Sequence, residues 1–170
     1  MKKNPLNLLV HLHPLLPLTM ERRIVVIAHN IRSLWNIGSL FRSADAFQVE
    51  HIHLCGYTPT PPRKEIAKTA LGADEWIPWS KHDSAIAVLD QRRQQGFLVA
   101  ALELTPDSTP LMSFDAPDKI CLIIGHEILG VPNEILKLCD SVLSIPMAGK
   151  KASLNVSVAS GIALYQLRCS

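Results

Sequence analysis

The chain has 170 residues, of which 48% are hydrophobic and 19% charged, with a formal net charge of +2. That length fits one domain with a full core and is short for two. The small net charge excludes a uniformly polycationic nucleic-acid binder, while basic pairs at Arg22-Arg23, Arg63-Lys64, Arg92-Arg93 and Lys150-Lys151 allow local patches.

At the N-terminus, residues 1–19 join two lysines to a leucine-rich run, as a secretory signal does. His11, His13, Pro5, Pro14 and Pro17 interrupt that run, and no small-x-small cleavage site follows. The segment reads as a disordered or loosely packed leader, with Met20 an alternative start and residues 20–170 as one domain. Elsewhere no run approaches the roughly 18 apolar residues that cross a bilayer, so no membrane span is expected. Cys55, Cys121, Cys139 and Cys169 show no C-x-x-C spacing and read as reduced, so a cytoplasmic location is expected.

From Ile24 onward, short apolar runs alternate with helical patterns. Strands are predicted over 24–28, 51–55, 97–102, 120–124 and 142–146, and helices over 36–47, 62–71, 84–95, 132–138 and 154–168. Pro62 and Pro132 are placed in first helical turns, where no N–H is missed. The Thr/Pro cluster at 56–62 and the Asp/Ser/Pro-rich 105–118 read as loops. This order predicts an α/β fold, a mostly parallel sheet flanked by helices. In such sheets ligands bind beyond the carboxyl ends of the strands. The informative positions are therefore His29-Asn30, Glu103-Leu104, Gly125-His126-Glu127 and Met147 to Asn155.

Three segments carry polar residues at those places. In "NIGSLFRSADAF" an apolar stripe (Ile37, Leu40, Phe41, Ala44, Phe47) leaves Asn36, Ser39, Arg42, Ser43 and Asp45 off it. The bland reading is an amphipathic helix with Arg42 paired to Asp45; the functional one turns that polar face towards a substrate or a second subunit. In "LIIGHEILGVPNEIL" a buried strand ends at Gly125, where a ligand can approach the backbone, and Glu127 follows; a turn with a solvated acid is the alternative. In "IPMAGKKASLNVSVASGIALYQL" the helix is apolar on nearly every side and is expected to be buried. Ser153 is its candidate N-cap, and Asn155, in its first turn, needs partners for its amide. Gly149-Lys150-Lys151 before it suit an anionic ligand. His11, His13, His51 and His53 occur as i,i+2 pairs, too few ligands for a metal site, so no metal is expected. Phosphate-loop, dinucleotide-binding and hydrolase signatures do not occur in the sequence.

Together, in this order, the three segments resemble the SpoU (TrmH-like) family of RNA ribose methyltransferases within the SPOUT superfamily, over essentially Ile24 to Arg168. The resemblance implies a five- or six-stranded α/β fold with a C-terminal deep trefoil knot, which general rules of chain topology would not predict. It implies S-adenosylmethionine bound in the knotted loops, with Leu102 (in "AALELTP"), Gly125, Ile145, Ser153 and Leu154 as cofactor contacts. It also implies a homodimer and methyl transfer to a ribose 2′-hydroxyl of tRNA or rRNA, with tRNA favoured, at a site containing Asn36, Arg42, Glu127 and Asn155. Arg42 is expected to orient the ribose or phosphate and stabilise oxyanion charge, because a guanidinium is a poor proton acceptor.

The sequence departs from the family at Gln48, where relatives usually carry Gly, and shows no separate RNA-binding extension. RNA contacts are accordingly expected from Arg22, Arg23, Arg63, Lys64 and Lys68. Two other functions compete: a non-catalytic RNA-binding or assembly factor on the same fold, and a SPOUT enzyme that methylates a base nitrogen. Retention of Asn36, Arg42, Glu127, Ser153 and Asn155 favours an enzyme, and the "SLNVS" form of the last segment favours ribose.

Overall fold

The computed structural model describes residues 21–151 and 153–170, so the leader and its histidines lie outside the described residues. Among these residues seven strands form one sheet: β1 (Arg23–His29), β2 (His51–Cys55), β3 (Trp79–His82), β4 (Leu98–Leu102), β5 (Thr109–Pro110), β6 (Lys119–Ile124) and β7 (Ser141–Ser144). The helices are α1 (Leu34–Ala46), α2 (Lys64–Ala70), α3 (Ala73–Trp76), α4 (Ala85–Gln94), α5 (Asn133–Leu136) and α6 (Val156–Cys169), with a 3-10 turn at Leu111–Ser113. Every strand pairing is parallel, in the order β3-β2-β1-β6-β4-β7-β5.

Strands covered by helices on both faces need apolar side chains in both directions, and β1 and β6 show this residue by residue. Ile24, Val26 and Ala28 of β1 and Ile120, Leu122 and Ile124 of β6 pack with Ile37, Leu40 and Phe41 of α1 and Ala163, Leu164 and Leu167 of α6. The alternate residues, Val25 and Ile27 with Cys121 and Ile123, pack with Val88 and Leu89 of α4 and Ile135 of α5. Gly38 lets α1 and α2 meet: a Cβ there would overlap the Thr69 hydroxyl and the Ile66 carbonyl.

Two strands escaped the sequence reading. Among the described residues β3 pairs only with β2 and carries polar residues on its partly exposed faces, and β5 is a two-residue edge pairing that ends in Pro110, inside the segment read as loop. Predicted helix starts also shift. Pro132 is the N-cap of α5 rather than its first residue, and Pro62 lies ahead of Arg63, the N-cap of α2.

The C-terminal helix differs most from expectation. Asn155, not Ser153, is its N-cap, with the side-chain oxygen accepting from Ser157 N at 2.9 Å. Nor is it buried all round, since Val158, Ile162 and Tyr165 remain 51%, 40% and 47% exposed along one stripe. Its other face packs on α1. Its far end is pinned by two buried arginines. Arg22 donates to the carbonyls of Ala116, Pro117 and Leu167, and Arg168 donates to those of Phe47, Gln48 and Arg22. Gln48 itself sits at φ 50°, the left-handed region where Gly is least strained, which accounts physically for a Gly preference at that turn.

Arg22 is therefore structural, and Arg23 is engaged with Glu50 at 2.6 Å. Of the cations expected to meet RNA, Arg63, Lys64 and Lys68 are exposed.

Candidate active site

β6, β4 and β7 are consecutive in the sheet, so the loops that leave their carboxyl ends emerge side by side. Between these loops lies a cleft of about 340 Å³. Leu102 ends β4, Gly125 follows β6, Ile145 follows β7, and Ser153 and Leu154 approach from the segment before α6; each of these lines the cleft. Gly125 is necessary there. A Cβ on it would overlap the Gly130 carbonyl group and Val131 N, because residues 126–130 fold back over it through paired His126–Gly130 backbone hydrogen bonds.

Glu103 and His126 also line the cleft and had no assigned role. The Glu103 carboxylate accepts from Val131 N at 2.9 Å through one oxygen and from Leu104 N at 2.9 Å through the other, tying the loop after β4 to the loop after β6. An acid immediately past a buried strand was the signal available for it. His126 Nδ1 accepts from Ile128 N and Leu129 N, closing the turn at the cleft mouth.

At the rim, Glu127 holds the start of α1. Its Oε2 accepts from Arg32 N at 3.1 Å, and its Oε1 from Ser33 N at 3.0 Å and from Asn36 Nδ2 at 3.0 Å. Partial burial would raise this carboxyl. The donated hydrogen bonds, from the Arg32, Ser33 and Glu127 backbone and from the Asn36 amide, outweigh it and hold the group below the usual carboxylate range. Glu127 is thus an ionised anchor and a weak base. Asn155 Nδ2 donates to Asn36 Oδ1 at 3.1 Å, which links the second segment through the first to the third. Asn36, Glu127 and Asn155 form one connected chain.

Arg42 is not part of it. It lies farther along α1, exposed, beside a shallow hollow shared with Ser43, Phe47 and Lys68, and its side chain makes no hydrogen bond or ion pair among the described residues. The expected Arg42–Asp45 pair does not form; Asp45 accepts instead from Trp76 Nε1 at 2.7 Å.

Among the described residues no group of three or more His, Cys, Asp or Glu has the geometry to hold a metal. His51, His53 and His82 do meet, but they converge on Ser80 Oγ and Arg92. No helix among the described residues is long and apolar enough to cross a membrane.

The SpoU rRNA Methylase family model matches residues 23–165. The chain belongs to that family. Among its relatives is a tRNA (guanosine(18)-2′-O)-methyltransferase of Aquifex aeolicus, 31% identical over 86% of this chain and 69% of its own length. The enzyme of the same name from Escherichia coli is 29% identical over 84% of this chain and 62% of its own length. A crystal structure of an AdoMet-bound rRNA methyltransferase from Sinorhizobium meliloti superimposes with a TM-score of 0.80 at 28% identity, covering 86% of this chain and 56% of that one. This SpoU chain therefore spans less than two thirds of the E. coli and S. meliloti relatives.

Proposed function

We propose that this SpoU-family chain is an S-adenosylmethionine-dependent RNA methyltransferase acting on a ribose 2′-hydroxyl of tRNA or rRNA. The observation that carries this reading is that the second and third sequence segments line one cleft, and Asn36 of the first is tied to them by its hydrogen bonds with Glu127 and Asn155. The cleft's size is in the range of small-molecule sites, and its walls combine the apolar side chains of Leu102, Ile145 and Leu154 with the bare backbone at Gly125. Those residues and Ser153 fit the methyl donor, which supplies an electrophilic methyl group when bound. The names of the relatives, two acting on tRNA and one on rRNA, support RNA as the acceptor.

The chain's own residues position the reactants, and the proton that the 2′-hydroxyl loses as its oxygen takes the methyl group passes to solvent water. Asn36 and Asn155 fix the rim, and Glu127 locks the start of α1 against the loop after β6. Arg42 orients the ribose or phosphate and stabilises the developing oxyanion. Holding reactants in line is worth roughly 7–11 kcal/mol of barrier in favourable cases, so positioning can supply much of the rate.

Arg42 reaches a site through a homodimer in this reading. The stripe of Val158, Ile162 and Tyr165 on α6, with Phe47, the C-cap of α1, against Tyr165 and sharing a hollow with Arg42, is the face on which a second copy packs. The trefoil knot belongs to the same reading, and it is supported by α6 packing on α1 although β7, the preceding strand, lies beyond β6 and β4 in the sheet. The four free cysteines support a reducing cytoplasm. Burial pushes the Cys55 and Cys121 thiols up to about 12 and Cys139 to about 11, which disfavours the thiolate at these three.

Calorimetry with S-adenosylmethionine, together with mapping of 2′-O-methyl sites in RNA from a deletion strain, tests this function. Arg42→Ala should abolish turnover and leave cofactor binding nearly intact; cofactor binding lost with Arg42 would overturn its assigned role. An RNA-binding factor would show no cofactor heat and no missing methyl group.

A further inference from the structure

Three hollows run end to end on one side of the molecule. The cleft shares His126, Glu127 and Ile128 with a shallow hollow of about 340 Å³ whose other wall is Arg32 and Ser33. Arg32 in turn lines a hollow of about 400 Å³ with Leu34, Tyr57, Pro59 and Arg63. The track thus leads from the methyl-donor cleft, past the Glu127 rim, to an exposed tyrosine that shares its hollow with two arginines.

Tyr57 is 57% exposed, yet its backbone is held in place. Its N–H donates to Asn30 Oδ1 at 3.2 Å, Gly56 before it turns the chain at φ +65°, and Lys81 Nζ donates to the Gly56 and Thr58 carbonyls. Its ring stands edge to face with His126, centroids 6.3 Å apart. The side chains of Arg32 and Arg63 make no hydrogen bond or ion pair among the described residues. A ring held next to two uncompensated guanidinia matches an unpaired nucleobase with its flanking phosphates. Every base offers a π-face to an aromatic ring, and guanidinium forks fit phosphate oxygens.

We propose that this groove is an RNA subsite, in which Tyr57 stacks a base of the single strand beside the methylated ribose while Arg32 and Arg63 hold its phosphates. The proposal rests on the methyltransferase reading above and adds the residues that grip the strand. A second copy of the chain is a poorer occupant, because a symmetric contact here would bring Arg32 and Arg63 against their own equivalents.

Fluorescence anisotropy of a short labelled single-stranded RNA on the full chain tests it. Tyr57→Ala should weaken binding about tenfold, within the range of one lost base stack, and Tyr57→Trp should retain it. Arg63→Gln should reduce the dependence of log affinity on log salt by about 0.7, the loss of one phosphate contact on a single strand. Affinity for S-adenosylmethionine should be unchanged in each variant. Wild-type RNA affinity in Tyr57→Ala would overturn the subsite, as would a loss that accompanies dissociation of the protein in light scattering. Failure of the unsubstituted protein to bind S-adenosylmethionine would refute the methyltransferase reading instead, and Tyr57-dependent RNA binding would still be measurable.

Discussion

Asn155 Nδ2 donates to Asn36 Oδ1 at 3.1 Å, and the direction of that bond follows from its neighbours. The ionised Glu127 only accepts, so Asn36 must turn its NH2 towards it and its oxygen towards Asn155. Asn155 must then donate, leaving its own oxygen to accept from Ser157 N and Oγ as the cap of α6. Asn155→Asp separates the two tasks. Asp caps a helix as well as Asn, but its carboxylate would face the Asn36 oxygen without a proton to give. We expect near wild-type thermal stability and a fall in methyl transfer of roughly tenfold or more, the order of one lost hydrogen bond. Unchanged turnover in Asn155→Asp would remove the rim chain from the mechanism.

Gly125→Ala should displace the loop over 126–131, because the new methyl group would occupy the space of the Gly130 carbonyl. A shift of about 1 Å in a positioning element can cost on the order of 100-fold. Methyl transfer at saturating S-adenosylmethionine should fall by about that factor, with the sheet intact by circular dichroism.

Acid should weaken the fold through the histidine cluster on β2 and β3. Arg92 donates to His53 Nε2, and burial, then His51, Arg92 and His82, push the His53 imidazole down to about 3. His51 is lowered as well, by burial and then by Arg92 and His82. Unfolded histidines take up a proton near pH 6.5, whereas folded His53 does so only near 3, so the unfolded state binds more protons between these values. The contribution is complete above about pH 6.5 and is lost as pH falls, by up to about 1.4 kcal/mol per pH unit for one fully differential proton. His53→Gln keeps an acceptor for Arg92 and should flatten urea-unfolding stability between about pH 6 and 4. A slope as steep as that of the parent would assign the acid sensitivity elsewhere.

Arg22→Ala should cost about 2–4 kcal/mol, because it strips charge-assisted donors from the buried Ala116 and Leu167 carbonyls at once. Hydrogen exchange should quicken first in the last turn of α6. Exchange rising uniformly through the chain would indicate that Arg22 does not anchor that end in particular.

The α/β alternation, the doubly buried strands β1 and β6 and the three polar segments were legible in the sequence, since burial on two faces demands continuous apolar runs and polar residues stand out against them. β3 was not, because an edge strand such as Trp-Ser-Lys-His has one neighbour and no apolar requirement. Helix starts moved by one or two residues because caps are chosen by which side chain reaches a free N–H. Asn155 therefore took the place that Ser153 was expected to fill. Arg22 read as a surface cation and is a core ligand of carbonyls, a difference set entirely by where residues 116–117 and α6 return to it.

What the sequence determined by itself was therefore the type of each element and the identity of the segments with chemistry in them, because periodicity and polarity act locally. The tertiary structure alone decided that Leu102, Gly125, Ile145, Ser153 and Leu154 line one cleft. It also decided that Asn36, Glu127 and Asn155 share a proton-donor order and that Arg42 stands apart from them. Those relationships depend on parallel strands whose carboxyl ends are neighbours in space and distant in the chain, which no local pattern encodes.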